Sequence, residues 1–241
     1  MAYMEQLICD LTRGARPGAA LVARSAGLTR ELAAEVMTAI TGWDPRLEGE
    51  PGQAVLQSIP LKGVLPGIPG RLHLVSRARL GDDRHVLVHG LILSEGDYGA
   101  YGLNPYRVQA EGLLPASWAP GMILERIERR PSSFAALVSP LPNEEDAQLL
   151  DEALRQYFST GRLIIPLAGP DEAAERFFAL FLESLPTHLR RQLRFASYAQ
   201  AGQSEVAVGA ACMPDGSFQA WRGALRAAVR RSLPPDMEEY V

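Results

Sequence analysis

The sequence predicts a mixed α+β or α/β protein built as two packed domains, each a mixed or antiparallel sheet covered by helices. Three observations carry that expectation. Strand-like apolar runs alternate with amphipathic helical stretches along the whole chain. The pattern restarts once, near RRPSS at Arg129 to Ser133, which divides the chain into 1–130 and 131–241. With 241 residues, 47% hydrophobic and 22% charged, the chain can bury a sizeable core without disulfide or metal staples.

Residues 3–12 (YMEQLICDLT) and 54–60 (AVLQSIP) have strand composition. Between them, Leu32, Val36 and Ile40 recur at i, i+4 spacing with Ala33 and Met37 beside them, the mark of an amphipathic helix from about Thr29 to Ile40 laid on a sheet. Residues 71–79 (RLHLVSRAR) and 84–93 (RHVLVHGLIL) flank Gly81, Asp82 and Asp83, so they read as an antiparallel hairpin. The following SEGDYGAYGLNPYRV and EGLLPASWAPG, rich in Gly, Tyr and Pro, read as a long irregular excursion.

Beyond the boundary, SFAALVSPL reads as a short strand. Glu144, Glu145 and Asp146 then open a helix that runs to about Ser159, with Leu149, Leu150, Ala153, Leu154, Tyr157 and Phe158 on its apolar face. Carboxylates in a first turn complement the helix dipole. GRLIIPL (161–167) is a buried strand, and a second helix starts at Asp171 with Phe177, Phe178, Phe181, Leu182 and Leu185 in the core. PTHLRRQLRFASYA turns into a strand near Leu193, SEVAVGAACM (204–213) alternates like its hairpin partner, and a last helix spans about Phe218 to Ser232.

Composition removes several function classes. The net charge of -4 argues against the cationic surface that dominates nucleic-acid affinity. No apolar window is long enough to cross a membrane and the N-terminus lacks a signal-peptide pattern, so the expected compartment is the cytoplasm. Cys9 and Cys212 lie in apolar runs and read as buried thiols rather than disulfide or zinc partners. Lys62 is the single lysine, and IPLKGVLPG has neither the glycine pattern nor the Ser/Thr of a P-loop.

The candidate chemistry is sparse. On a strand His85 and His89 point the same way but stand about 13 Å apart, too far to share one ion, so they read as satisfied polar residues on one face. His73 and His188 lack ligand-spaced partners, and no GxSxG elbow anchors a triad. Asp82 and Asp83 are turn residues. Glycines 96, 99 and 102 do not make a dinucleotide fingerprint. No catalytic residue, metal site or cofactor emerges. Two sets of residues remain as partner-binding candidates. Tyr98, Tyr101 and Tyr106 on the excursion offer large contact area at low entropic cost, with loop packing as the alternative. Arg222, Arg226 and Arg230 form a basic stripe on the last helix for an acidic partner, with a solvated face as the alternative. The acidic tail PPDMEEYV could fold back on that stripe.

ALVARSAGL (20–28) leading into a helix, followed by the DRHVLVHGLIL strand (83–93), resembles the N-terminal domain of the bacterial GTPase-associated proteins. ESLPTHLRRQLRFASYA (183–199) resembles their middle domain, where an LP-x-x-x-R run enters an F-x-S-Y strand. The resemblance implies a non-enzymatic adaptor that binds a protein partner, a small GTPase, in a bacterial regulatory or defence-type system. A GTPase-activating arginine is conceivable on that basis, since a guanidinium can neutralise charge on a transferring phosphoryl group. The rival readings are a hydrolase or transferase whose site assembles only in the fold, and a self-assembling structural subunit or homo-oligomer.

Overall fold

The computed structural model describes residues 2–12, 18–43, 54–80, 85–114, 123–129, 144–200 and 206–232. The boundary near Arg129 to Ser133, the SFAALVSPL run, the 81–83 turn and the PPDMEEYV tail fall wholly or mostly outside those residues.

Among the described residues seven helices cover one mixed sheet of nine strands, as the α+β class requires. The strands are β1 (Ala2–Thr12), β2 (Gly18–Arg24), β3 (Ala54–Leu61), β4 (Leu72–Leu80), β5 (His85–Ser94), β6 (Ile127–Arg129), β7 (Leu163–Leu167), β8 (Phe195–Gln200) and β9 (Val208–Cys212). Their order is β2-β1-β5-β4-β3-β8-β9-β7, with β6 also paired to β1. The expected hairpin is β4 with β5, antiparallel from Leu72↔Ser94 to Leu80↔Val86. Every pairing among β1 to β6 is antiparallel, whereas β8, β9 and β7 run parallel. The two parts join where β3 meets β8 through Gln57↔Ala196 and Ser58↔Phe195.

ALVARSAGL (20–28) leads into a helix as expected, α1 (Arg30–Trp43), but its first residues belong to a strand the sequence did not reveal, the edge strand β2, antiparallel to β1. Two expectations change. SEVAVGAACM contains β9, which is parallel to β8 rather than its hairpin partner; alternation marks a strand and its buried face but carries no direction. The described part of the excursion after β5, up to residue 114, is not irregular throughout. It holds two short helices, α2 (Glu95–Gly99) capped by the Ser94 hydroxyl and α3 (Pro105–Ala110) capped by the Asn104 side chain.

The longer helices are α1 (Arg30–Trp43), α4 (Glu144–Thr160), α5 (Glu172–Ser184) and α7 (Phe218–Ser232), with the single turn α6 (Thr187–Arg190) between α5 and β8. α1 begins where Thr29 Oγ1 accepts from Leu32 N at 3.2 Å and buries Leu32, Ala33, Val36, Ile40 and Trp43. Strand alternation puts Cys9, Val88, Ala78 and Val55 on the face that α1 covers, where Cys9 meets Met37. The opposite face, with Gln6, His89, Arg77 and Leu56, lies under α2, α3 and α5. There Phe195 meets Tyr106 and Phe178 with ring centroids 5.7 and 5.6 Å apart. α5 starts at Asp171, whose carboxylate accepts from Ala174 N at 2.9 Å. α4 ends at Gly161, in the left-handed region at φ 71° that ends many helices. Phe177, Phe218 and Trp221 pack α5 against α7.

Candidate functional site

The motifs that looked most distinctive turn out to hold the fold. Ser25 of ALVARSAGL is fully buried; its hydroxyl donates to Glu5 Oε2 at 2.5 Å and accepts from Gln6 N at 2.9 Å. Glu5, also fully buried, is met from the other side by the Arg126 guanidinium at 2.5 Å. Gly27 lies directly beneath that pair: a Cβ there would stand 2.1 Å from Glu5 Oε1 and 2.7 Å from Arg126 Nη2. The middle-half motif is a seam. Arg190 donates to the Gly102 carbonyl at 2.5 Å, Ser197 Oγ accepts from Leu56 N at 2.8 Å, and the Tyr198 carbonyl accepts from Trp43 Nε1 at 3.1 Å. Asn104 donates to the Ala179 carbonyl and Arg107 pairs with Glu183 at 2.8 Å, so the α2–α3 segment is wedged between the first-half sheet and α5.

That wedge decides the three tyrosines. Tyr98 and Tyr101 are buried to 1% and 2% exposure, and the Tyr106 ring packs on Phe195. Tyr98 shares a hydrogen bond with Ser58 at 2.8 Å and leans on His73 at 5.2 Å. Burial pushes the Tyr98 phenol up. Burial favours the loop-packing alternative for Tyr98 and Tyr101, since a side chain already out of water has little contact area to offer a partner, while Tyr106 is half-buried.

The arginine stripe is also partly spent within the molecule. Arg222 is half-buried, its guanidinium 3.5 Å from Asp146 of α4, and Arg226 is half-buried. The Arg230 side chain lies outside the described residues. His85 bonds to Asp10 and His89 Nε2 to Gln6, each at 3.0 Å, on one sheet face; His89 Nδ1 is buried without a hydrogen-bond partner, so only His85 meets the expectation of a satisfied residue. Cys9 is buried and free, with its thiol pushed up to about 12 by burial, while Cys212 is only half-buried. Among the described residues no group of three or more His, Cys, Asp or Glu could hold a metal ion, and no helix is long and apolar enough to cross a membrane.

A concave surface lies among the described residues. A groove of about 670 Å³ opens between the β3–β4 loop and the turn that enters β8, lined by Pro60, Lys62, Val64, Arg71, Gln192 and Arg194 among others. The loop is held from below: Glu35 of α1 accepts from Lys62 N at 2.6 Å and from Gly63 N at 2.8 Å. Gly67 and Gly70 take positive φ, 79° and 92°, which lets the chain double back and leaves Val64 74% exposed. Lys62 and Arg71 are exposed and form no ion pair with a described residue.

The chemistry of this groove is cationic and amphipathic. Its backbone donors at 62 and 63 are already taken by Glu35 and are not available to a ligand. Cations on long arms from a loop and a strand end, beside an exposed valine, suit carboxylates spread along an extended chain. Sequence reasoning met Lys62 only as a failed P-loop and passed over Arg71. The available signal was LKGVLPGIPG, a Pro- and Gly-rich loop carrying the sole lysine.

The family model described as GTPase-associated protein 1, middle domain, matches residues 132–234, in agreement with the resemblance carried by 183–199. Neither a curated protein nor a solved structure matches the chain.

Proposed function

We propose, from the premise that residues 132–234 match a GTPase-associated protein middle domain, that the chain is a non-enzymatic adaptor which binds a GTPase in the cytoplasm of a bacterial regulatory or defence-type system. That match is the observation that carries the reading. Two further features support it. The conspicuous polar motifs among the described residues serve packing and joining. The groove beside Lys62 and Arg71 has the charge and openness to take an acidic segment of the partner.

The test is capture of GTPases by the tagged chain in the presence of GDP or of a non-hydrolysable GTP analogue. Retention of a GTPase in one nucleotide state is the expected result. A double reversal, Lys62→Glu with Arg71→Glu, should weaken that retention at least tenfold while leaving the thermal midpoint unchanged, since both side chains are exposed. Turnover of a small substrate that depends on one Ser, His or Asp would replace this reading with the hydrolase or transferase one.

A further inference from the structure

The chain carries an acidic segment of its own, and the course of α7 brings it toward the cationic groove. After α7 ends at Ser232, the sequence LPPDMEEYV holds three carboxylates, Asp236, Glu238 and Glu239, and no basic residue. Pro234 and Pro235 cannot continue a helix and favour an extended course. The topology sets where α7 ends. Arg222, near its start, stands 3.5 Å from Asp146 at the start of α4, and Phe218 packs on Phe177 near the start of α5. The turn before α7 is bonded to the end of β7, where the Gly216 carbonyl accepts from Ala168 N at 2.8 Å. So α7 begins where β7 and β9 finish and runs back to the end of the sheet where β7, β8 and β9 start. The groove opens at that same end: Gln192 and Arg194 immediately precede β8, and Lys62 follows β3, which is antiparallel to β8.

We propose that residues 236–239 of the same chain occupy this groove, with their carboxylates on Lys62 and Arg71, and so compete with the acidic segment of a partner; the competition rests on the reading of the groove given above. Reach permits it. α7 packs on β7, which lies three strand spacings from β3, about 15 Å, and a helical layer stands about 10 Å off a sheet, so the span is about 18 Å. Six extended residues, from Ser232 to Glu238, cover about 20 Å. Charge selects the occupant. Lys62 and Arg71 form no ion pair with a described residue, whereas the acids near them are engaged, Glu35 by the amides of residues 62 and 63 and Glu95 by Arg191 at 3.3 Å. The rival seat is the arginine stripe of α7, where Arg222 already faces Asp146. In an extended segment Asp236 and Glu238 share a side about 6.6 Å apart, a spacing that two cations on separate arms can meet. Tethering by a short link gives the segment an effective concentration in the millimolar range, so weak contacts suffice to fill the groove.

Lys62 is the single lysine of the chain, which makes the contact directly readable. A carbodiimide joins an amine to a carboxyl without a spacer. In the full chain at low micromolar concentration, the expected product is an amide from Lys62 to Asp236, Glu238 or Glu239, formed within single chains when unlabelled and nitrogen-15 chains are mixed. Cross-linking of Lys62 only to Glu35 or to other carboxylates, or only between chains, would overturn the proposal. A second measurement uses a dye-labelled peptide of sequence LPPDMEEYV. It should bind the variant Asp236→Asn, Glu238→Gln, Glu239→Gln at least tenfold more tightly than the unaltered chain, and lose that gain when Lys62→Glu and Arg71→Glu are added. Equal binding to the variant and the unaltered chain would overturn the proposal as well. Neither measurement needs a GTPase. A chain that passes both and captures no GTPase refutes the adaptor reading alone, and one that captures a GTPase through Lys62 and Arg71 but fails both refutes self-occupancy alone.

Discussion

Glu5 shows how much a single position can demand of its neighbours. A carboxyl group with no exposure is met by Ser25 and Arg126, and Gly27 is required because any side chain there would push that pair apart. Gly27→Ala is therefore expected to cost on the order of 2 kcal/mol, the penalty of a buried polar group losing its partner, read from urea unfolding. Three other buried groups set the response to acid. His73 and His89 are lowered to about 4, both chiefly by burial, with Arg71 adding to the effect on His73. Burial raises Glu175 to about 7 despite the Arg77 guanidinium near it. Between pH 4 and 6.5 the unfolded chain binds a proton at each histidine that the folded chain does not, so these groups withdraw stability as pH falls through that window. Glu175 acts oppositely, because from about pH 4.5 to 7 it is protonated in the folded state and ionised in the unfolded one. Two histidines outweigh one carboxyl, so stability should rise with pH from about 4.5 to 6.5. Glu175→Gln should steepen the slope. Replacing both histidines with glutamine should reverse its sign, as measured by thermal midpoints across pH.

Among the elements, those with a buried face were legible and those without one were not. α1 showed itself through Leu32, Val36 and Ile40, and α5 through its phenylalanines, since burial on one side imposes a period. β2 has no buried side, so GAALVAR carries no alternation to read. α2 and α3, five and six residues long, are too short for a helical period and are set by caps at Ser94 and Asn104. The direction of β9 was hidden for another reason. It depends on a close approach, Gly209 against Ala196, where a Cβ would stand 2.0 Å from the Ala196 carbonyl oxygen. Gly209→Ala should force β8 and β9 apart and cost on the order of 3 kcal/mol, with amide exchange accelerating in β7, β8 and β9 before β4 and β5. The groove was the least legible part, because Lys62 and Arg71 meet Gln192 only after the chain has crossed the sheet.

At the scale of the whole molecule the antiparallel and parallel parts share a ladder, a wedge and an indole bond, so neither presents a finished surface to the other. Unfolding is expected to be a single transition. Tryptophan fluorescence and far-ultraviolet circular dichroism of the unaltered chain should report the same urea midpoint; Trp43, in the first half, and Trp221, in the second, are both buried in the fold. Two separated midpoints would mean that the β3–β8 seam couples the halves weakly. The seam also has a history within each molecule. Its partners, Gln57 with Ala196 and Ser58 with Phe195, lie far apart in the sequence, and β3 is made long before β8. On the ribosome the hairpins of the first half can form as they emerge, but β3, AVLQSIPL, must wait with its outer side bare until residues 195–200 have been synthesised. A nascent chain stalled before that point would carry an apolar, unpaired strand, making the interval between the two halves the stage at which this protein most needs a chaperone.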